Sequence, residues 1–586
     1  GGGSPGSGGG STRRDFLKQG AALGAAGLSF PMVLRSRTGA MSGPQRKNTL
    51  YVGGWQWSPP NAGFSPLVAS TNYPSNSQIQ YLYESLFGFN LLTGGIDPIL
   101  AKGISWPSKS TAVVTLQPAA HWQDGKALNA DDVVFTFELP KQHTELSYAS
   151  FWQYVSSVTK KDDHTVQFDL NPQQLNPGQF KHFLATIYIL PKHIYSSIAE
   201  KNSSLLNYTD MHPVGSGPYR IYNASQQQVS LVRYDHYWGR KVFGGLAKPQ
   251  YIVHPILKDN SAASLAMQEG ELDLSQHFGS QIWTMWTKYH QPAGTWFRHP
   301  PYHLPGSIPI VWLNVNRKGL DNVKVRQAIA YSIDYSQIVK TAMSEYSTDV
   351  RSSLIIPTGP EAKFFDSANV KQNGWSHNPQ KAKQILEHDL GAKKGSDGIY
   401  VLPDGTRLGG WTAITPTGWT DWNASLAVLS QSTHQVGIDI GTSFPEANQV
   451  NDTVQAGNFD LAMWGVTGLD PAAPWIRFQN VLDDRGVPPL GKTAFWDYVR
   501  FSNSQVAGLL NQAATATGGH QKELFGELDR IFQQNLMVIP LEYRPFEFYE
   551  YNETVWTNFP NSHHRWAGPQ QGGIGVKLLY GIKPKV

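Results

Sequence analysis

Trp122-Gln-Asp-Gly-Lys-Ala-Leu-Asn-Ala-Asp-Asp-Val-Val-Phe-Thr-Phe137 packs a turn and a helix entry into one short run. Val113-Val-Thr-Leu116, just before it, has the β-branched make-up of a strand. Asp124-Gly125 is a turn signal. Asn129 can cap a helix whose first turn carries Asp131 and Asp132, acids suited to the positive end of the helix dipole, and Pro140 stops it. Strand, turn and helix in this succession are the makings of an α/β layer.

Around this run the chain is long and aromatic. Its 586 residues exceed one ordinary domain several times over, so two or three lobes with ample core are expected. The absence of cysteine excludes disulfides, thiolate metal sites, a cysteine nucleophile and a lipid anchor through cysteine. Lys plus Arg number 48 and Asp plus Glu 44, but the bases Arg13, Arg14, Lys18, Arg35 and Arg37 lie near the start with the single acid Asp15. The remainder is formally neutral, which leaves no basic footprint for a nucleic acid. The 19 Trp, 25 Tyr and 26 Phe point to thick cores or to stacking surfaces for rings.

Ser11-Thr-Arg-Arg-Asp-Phe-Leu-Lys18, followed by a weakly apolar stretch over 21–34, resembles a twin-arginine export signal. That stretch is too short and glycine-rich for a membrane span, which needs about 20 apolar residues. Residues 1–10 read as low-complexity linker, so 1–40 stand apart from the fold. Further on, Ile79-Gln-Tyr-Leu-Tyr-Glu-Ser-Leu86 is apolar at Ile79, Leu82, Tyr83 and Leu86, the spacing of a packed helix.

Other blocks follow in order: His212-Pro-Val-Gly-Ser-Gly-Pro-Tyr219, Arg233-Tyr-Asp-His-Tyr-Trp-Gly239, Met267-Gln-Glu-Gly-Glu-Leu-Asp273, and Leu313-Asn314 with Arg326 inside Val325-Arg-Gln-Ala-Ile-Ala-Tyr-Ser-Ile-Asp334. Asn378-Pro-Gln-Lys-Ala-Lys383 and Val538-Ile-Pro-Leu541 complete the set. Each has a local reason. Gly215, Gly217 and Pro218 make a rigid turn, Gly270 separates a helix from a strand, and Asp334 caps a helix to Ala342 with Gln337 as its reciprocal partner. Together with residues 122–137, these blocks resemble the extracellular solute-binding proteins of family 5, the peptide and nickel binders of ABC importers, over about residues 50–550. Ser216 stands where that family has Thr.

The resemblance implies an α/β, two-lobed periplasmic-binding-protein clamshell of class II, cluster C type, with an extra inserted α/β subdomain. Lobe I would comprise 41–75, 208–305 and 539–586, the insertion 76–207, and lobe II 306–538. The crossings Ile308-Pro-Ile-Val-Trp-Leu313 and Val538-Ile-Pro-Leu-Glu-Tyr-Arg544 read as short apolar strands with proline, suited to hinges.

The candidate site centres on Phe459-Asp-Leu-Ala-Met-Trp-Gly-Val-Thr-Gly-Leu-Asp-Pro-Ala-Ala-Pro-Trp475. It begins as a strand and breaks into a Gly/Pro loop that carries Trp464, Thr467, Asp470 and Trp475, flat rings beside polar groups. Peptide binders of the family commonly hold the ligand's α-amino group with an aspartate three residues before the position of Asp470, where this chain has Thr467. A buried ammonium with no facing carboxylate is costly. That departure favours the family's oligosaccharide binders, of the cellobiose type, with peptide as the alternative if Asp470 compensates. Sugars stack C–H faces on aromatic rings and need polar side chains for their hydroxyls. Candidates at the lobe edges are Trp55, Trp57, Trp419, Trp422, Trp464 and Trp475, with Tyr543 and Arg544 beside the second crossing; two or three are expected in the cleft.

No Gly-x-Ser-x-Gly elbow, His-Glu-x-x-His or phosphate loop is present. The pairs Asp131/Asp132, Asp162/Asp163, Glu269/Glu271 and Asp483/Asp484 are too close in sequence to face each other across a glycosidic bond, and His563-His564 reads as surface. The expectation is therefore a binding protein and not an enzyme, without metal or cofactor. It would be exported by the twin-arginine route to the periplasm or cell surface, monomeric, closing on its solute and delivering it to a membrane permease.

Overall fold

The computed structural model describes residues 43–54, 63–68, 80–569 and 574–585; Trp55 and Trp57 lie outside the described residues. The fold is that of the unit Arg46–Val586. After β1 (Thr49–Gly53) come the antiparallel strands β2 (Ala101–Ser108), β3 (Thr111–Leu116), β4 (Val155–Asp162) and β5 (Thr165–Leu170), ordered β2-β3-β5-β4. α1 (Ala130–Glu138) and α2 (Pro177–Thr186) share the apolar cluster of this sheet through Val133, Phe137, Phe180 and Phe183.

The entry to α1 is built as its sequence predicts. Asn129 Oδ1 accepts from the Asp131 N–H at 2.9 Å, and Asp132 Oδ2 accepts from the Asn129 N–H at 3.0 Å. The same Asp132 oxygen takes the indole N–H of the wholly buried Trp122 at 3.3 Å. A cap of this kind contributes about 1 kcal/mol.

The helix expected over 79–86 is not formed over 80–86, the part of it that is described. Residues 80–86 run without helix, with Tyr81, Leu82, Tyr83, Glu84, Ser85 and Leu86 all buried. A segment enclosed on every side has no solvent face to give a helix its amphipathic sense, and its carbonyls bond outward instead. Leu82 O accepts from Gly217 N at 2.9 Å and Tyr81 O from Tyr219 N at 3.0 Å. This explains the glycines of the 212–219 block better than a turn does. A Cβ on Gly215 would stand 1.8 Å from Leu82 O, and one on Gly217 2.2 Å from Tyr81 O. Gln123 donates to Gly217 O at 2.9 Å and Tyr219 O at 2.7 Å, while Tyr237 and Trp238 donate to the Glu84 carboxyl at 2.5 and 3.0 Å. Three of the sequence blocks thus meet at one junction.

The first large sheet takes β6 (Tyr219–Ala224), β7 (Gln228–Arg233), β8 (Tyr251–Pro255), β9 (Leu274–Ser275) and β10 (Ala293–Thr295), with β1 between β8 and β9 and parallel to both. The chain then crosses through β11 (Pro305–Ser307) to β12 (Ile310–Leu313), β13 (Gly409–Ile414), α3 (Thr420–Val436), β14 (Asp439–Ser443), β15 (Leu461–Trp464), α4 (Trp475–Leu482), α5 (Gly518–Asn535) and β16 (Val538–Pro540). These strands make a second sheet, ordered β14-β13-β15-β12-β16. The return runs through β17 (Arg544–Pro545) to β18 (Glu550–Asn552), which slots into the first sheet between β10 and β9. The two crossings are hydrogen-bonded to each other: β11 pairs antiparallel with β17, Ser307 opposite Arg544.

β12 shows why its run is apolar throughout. Ile310 and Trp312 enter a cluster with Phe478 and Phe525, whereas Val311 and Leu313 enter another with Leu426 and Met463, so both faces of the sheet are covered. Arg326 clamps the end of α5, donating to Asn535 O at 2.6 Å and Leu320 O at 2.6 Å. Asp334 accepts from Gln337 N at 2.9 Å as expected, but its own N–H donates to Ser432 Oγ at 3.2 Å, so the expected reciprocal partner Gln337 is replaced by a residue of α3.

Candidate functional site

β13 and β15 are parallel neighbours, Ala413 opposite Leu461 and Ile414 opposite Ala462, so they end at the same edge of the second sheet. The carboxyl edge of a parallel sheet is where ligands of open α/β folds collect. β15 ends on Trp464. Beyond β13 the chain turns through Gly418, with φ of +78°, to place Trp419 immediately before α3. The Trp419 and Trp464 rings stack 5.8 Å apart with planes 9° off parallel, and Trp422 meets Trp419 edge-on at 5.0 Å. Trp419 keeps 39% of its surface exposed while Trp422 keeps 9%, so one broad indole face stays open beside two supporting rings.

The first turn of α3 carries Asp421, which accepts from Arg544 Nε at 2.8 Å. Arg544 also lies over the Phe548 ring, 4.6 Å from its centroid, and its side chain is about a quarter exposed. Two residues earlier Glu542 is wholly buried and accepts from Ser425 Oγ at 2.8 Å. Burial first, then the charge of Asp421, pushes its carboxyl up to about 8, so near neutral pH it is mostly protonated.

The loop after β15 is tied down at each polar residue. Thr467 donates through N and Oγ1 to Asn480 Oδ1 at 3.0 and 2.8 Å, and its carbonyl accepts from Arg477 Nε at 2.9 Å. Arg477 is fully buried and makes a bidentate pair with Glu361, both bonds 2.8 Å. Leu469 N donates to Gly306 O at 2.7 Å, docking the loop on the crossing ribbon. Asp470 faces His182 Nδ1 of α2 at 2.6 Å and accepts from Ala472 N at 2.8 Å. Trp475, 7% exposed, donates to Leu510 O at 2.7 Å, and Tyr543, 1% exposed, accepts from Arg351 N at 3.1 Å.

The sequence candidates therefore separate. Trp419, Trp422, Trp464 and Arg544 come together. Thr467 and Asp470 sit in the adjoining loop with their side chains engaged, and Trp475 and Tyr543 lie in the apolar interior. Sequence reasoning missed Asp421, Glu542, His182 and Arg477. The first two lie within or beside segments already singled out, and could have been found there; His182 is 288 residues from its partner and gave no local signal.

At the carboxyl end of β9, His277 Nδ1 lies 2.7 Å from Ser275 Oγ and 3.3 Å from Glu550, all buried. Burial pushes the Glu550 carboxyl well up and the His277 imidazole down to about 3, so the two meet as neutral groups and not as an ion pair. Among the described residues no group of His, Asp and Glu is placed to hold a metal ion, and no helix is long and apolar enough to cross a membrane.

Two sheets joined by a paired crossing, with aromatic and polar side chains at the carboxyl edge of one, define a two-lobed solute-binding clamshell. The sequence profile of bacterial extracellular solute-binding proteins, family 5 Middle, matches residues 95–485, and the chain belongs to that family. A periplasmic oligopeptide-binding protein of an oligopeptide ABC transporter from Thermotoga maritima is 30% identical, with a TM-score of 0.86 over 92% of this chain and 100% of that one. The structure of the same Thermotoga protein with mannohexaose bound gives a TM-score of 0.81 over 92% of this chain and 99% of that one. The dipeptide-binding protein of Escherichia coli is 27% identical over 58% of this chain and 64% of its own length.

Proposed function

We propose that this solute-binding component of an ABC importer captures an oligosaccharide between its lobes and delivers it to a membrane permease, without turnover. The observation that carries the reading is the Trp419–Trp464 stack with Trp422 against it, a flat apolar platform at the carboxyl edge of β13 and β15. Charge supports it. The aspartates of this set are engaged, Asp421 with Arg544 and Asp470 with His182, and the side chain at position 467 is a hydroxyl committed to Asn480. A peptide's ammonium would have to break one of these pairs, whereas sugar hydroxyls can accept from the remaining guanidinium N–H groups of Arg544. The mannohexaose bound to the Thermotoga relative is in keeping with this.

On this reading Trp419, Trp464 and Arg544 touch the solute, with Trp422 and Asp421 positioning them. The chain divides into lobe I, the insertion 76–207 and lobe II 306–538, acts as a monomer, and is exported by the twin-arginine route to the periplasm or cell surface. The test is tryptophan fluorescence titrated with manno-, cello- and xylo-oligosaccharides and with mixed di- to pentapeptides. Saturable change with an oligosaccharide series is expected; saturation by peptides alone would replace this reading with the peptide one.

A further inference from the structure

Residue 470 was a candidate for meeting a solute's charge, yet its carboxylate is already spoken for by a distant part of the chain. α2, which packs on the four-stranded sheet, lies directly against the loop after β15. A Cβ added at Gly178 would stand 3.3 Å from Ala472 Cα and 3.6 Å from Pro471 O, so the backbones of helix and loop touch. One turn along, His182 Nδ1 and Asp470 Oδ2 are 2.6 Å apart, with side chains 25% and 10% exposed. The other Asp470 oxygen holds the Ala472 N–H at 2.8 Å and so fixes the loop's own turn. A bond this short in a largely dry setting is of the charge-assisted kind.

We infer that His182 and Asp470 are a latch, through which α2 holds the loop after β15 in place around a captured solute, and that the latch is strongest while His182 carries its second proton. The inference rests on the reading of that loop as part of the solute site. His182 would be a positioning residue that acts through the loop.

Burial by itself draws the His182 imidazole down, but the charge and hydrogen bond of Asp470 outweigh it and raise it above the ordinary 6.5. The charge acting on His182 is that of Asp470. On its own helix Lys181 is half-buried; from the short helix Phe151–Tyr154 the titratable neighbour is Tyr154, whose ring lies 6.2 Å from Phe183 and which itself feels Asp483 and Arg485. With the pKa raised in the latched form, the extra strength that the second proton gives the latch is complete below the ordinary histidine value of about 6.5 and is lost as pH rises through the raised one.

The chain has no cysteine, so a single pair of spin labels can be introduced cleanly. With labels at Gln174→Cys, exposed just ahead of α2, and Lys492→Cys, exposed in the segment that follows α4, in the full chain and no solute added, the distance distribution is expected to be narrow at pH 5.5. It should broaden toward longer separations by pH 9 and lose this pH dependence in H182Q and in D470N. A parent profile that is flat with pH, or unchanged by both substitutions, overturns the latch. Stopped-flow release of mannohexaose is the second readout: release from the parent is expected to quicken about tenfold between pH 6 and 9, and to be pH-independent in H182Q. If the labels respond and none of the manno-, cello- and xylo-oligosaccharides binds, the latch stands and the oligosaccharide reading falls. If mannohexaose binds with the same pH profile in parent and H182Q, the latch falls and the oligosaccharide reading stands.

Discussion

Substituting Arg477 by Met keeps most of the side chain's volume and removes a charge that has no exposure to water. The guanidinium makes four bonds: two to Glu361 at 2.8 Å each, one to Leu354 O at 2.6 Å and one to Thr467 O at 2.9 Å. Glu361 keeps only the Ile356 N–H at 2.9 Å when its partner goes. Stranding one member of a buried ion pair costs about 3–5 kcal/mol. Each abandoned carbonyl adds about 1 kcal/mol or more. R477M is therefore expected to lose at least about 4 kcal/mol. E361Q/R477M removes the stranded charge but not the orphaned carbonyls, so it should recover about half of that loss, with the two sites strongly non-additive. Urea unfolding of the parent, the two single variants and the double, followed by circular dichroism, completes the cycle. A loss under about 1 kcal/mol for R477M, or simple additivity in the double, would refute the assignment of Arg477 as the prop of the Thr467 loop.

W419A and W464A should each weaken solute binding by about three- to tenfold, the equivalent of roughly 0.5–1.5 kcal/mol for a ring–ring or ring–sugar contact; calorimetric titration showing unchanged affinity in both would remove the stack from the site. E542Q tests the buried carboxyl. A folded-state value of about 8 against an ordinary 4.5 means that the stability Glu542 contributes is complete below 4.5 and drains away as pH rises toward 8. The glutamine variant should therefore gain in melting temperature over the parent between pH 5 and 8, and a gap that does not widen across that interval would show that Glu542 titrates normally.

Much of this arrangement is written locally. The capped entry at Asn129, the Gly/Pro break after Trp464 and the apolar strands read over 308–313 and 538–544 depend on neighbours in sequence and form, although those strands pair with each other inside the second sheet and the chain crosses through Pro305–Ser307 and Arg544–Pro545. The segment 80–86 misleads for the opposite reason: its apolar spacing is that of a helix, but what fixes it is enclosure by residues 215–219 and 237–238, more than a hundred positions away. The same distance hides Arg477 and His182, whose roles exist only once Glu361 and Asp470 are brought to them. Trp475 shows that an aromatic in a Gly/Pro loop can as well be an anchor of the interior, since its N–H is taken by Leu510.

The pairing of Ser307 with Arg544 has a mechanical corollary. Two separate tethers would let one body swivel, slide and twist against the other. A pair zipped together behaves as a strip, stiff in its own plane and compliant mainly about one line. On the proposed clamshell reading, opening and shutting would be close to a motion with a single degree of freedom, and the rings of β15 and α3 would swing along a reproducible arc. Because Arg544 belongs to that strip and also pairs with Asp421, the side chain proposed to meet the solute would turn with the axle itself.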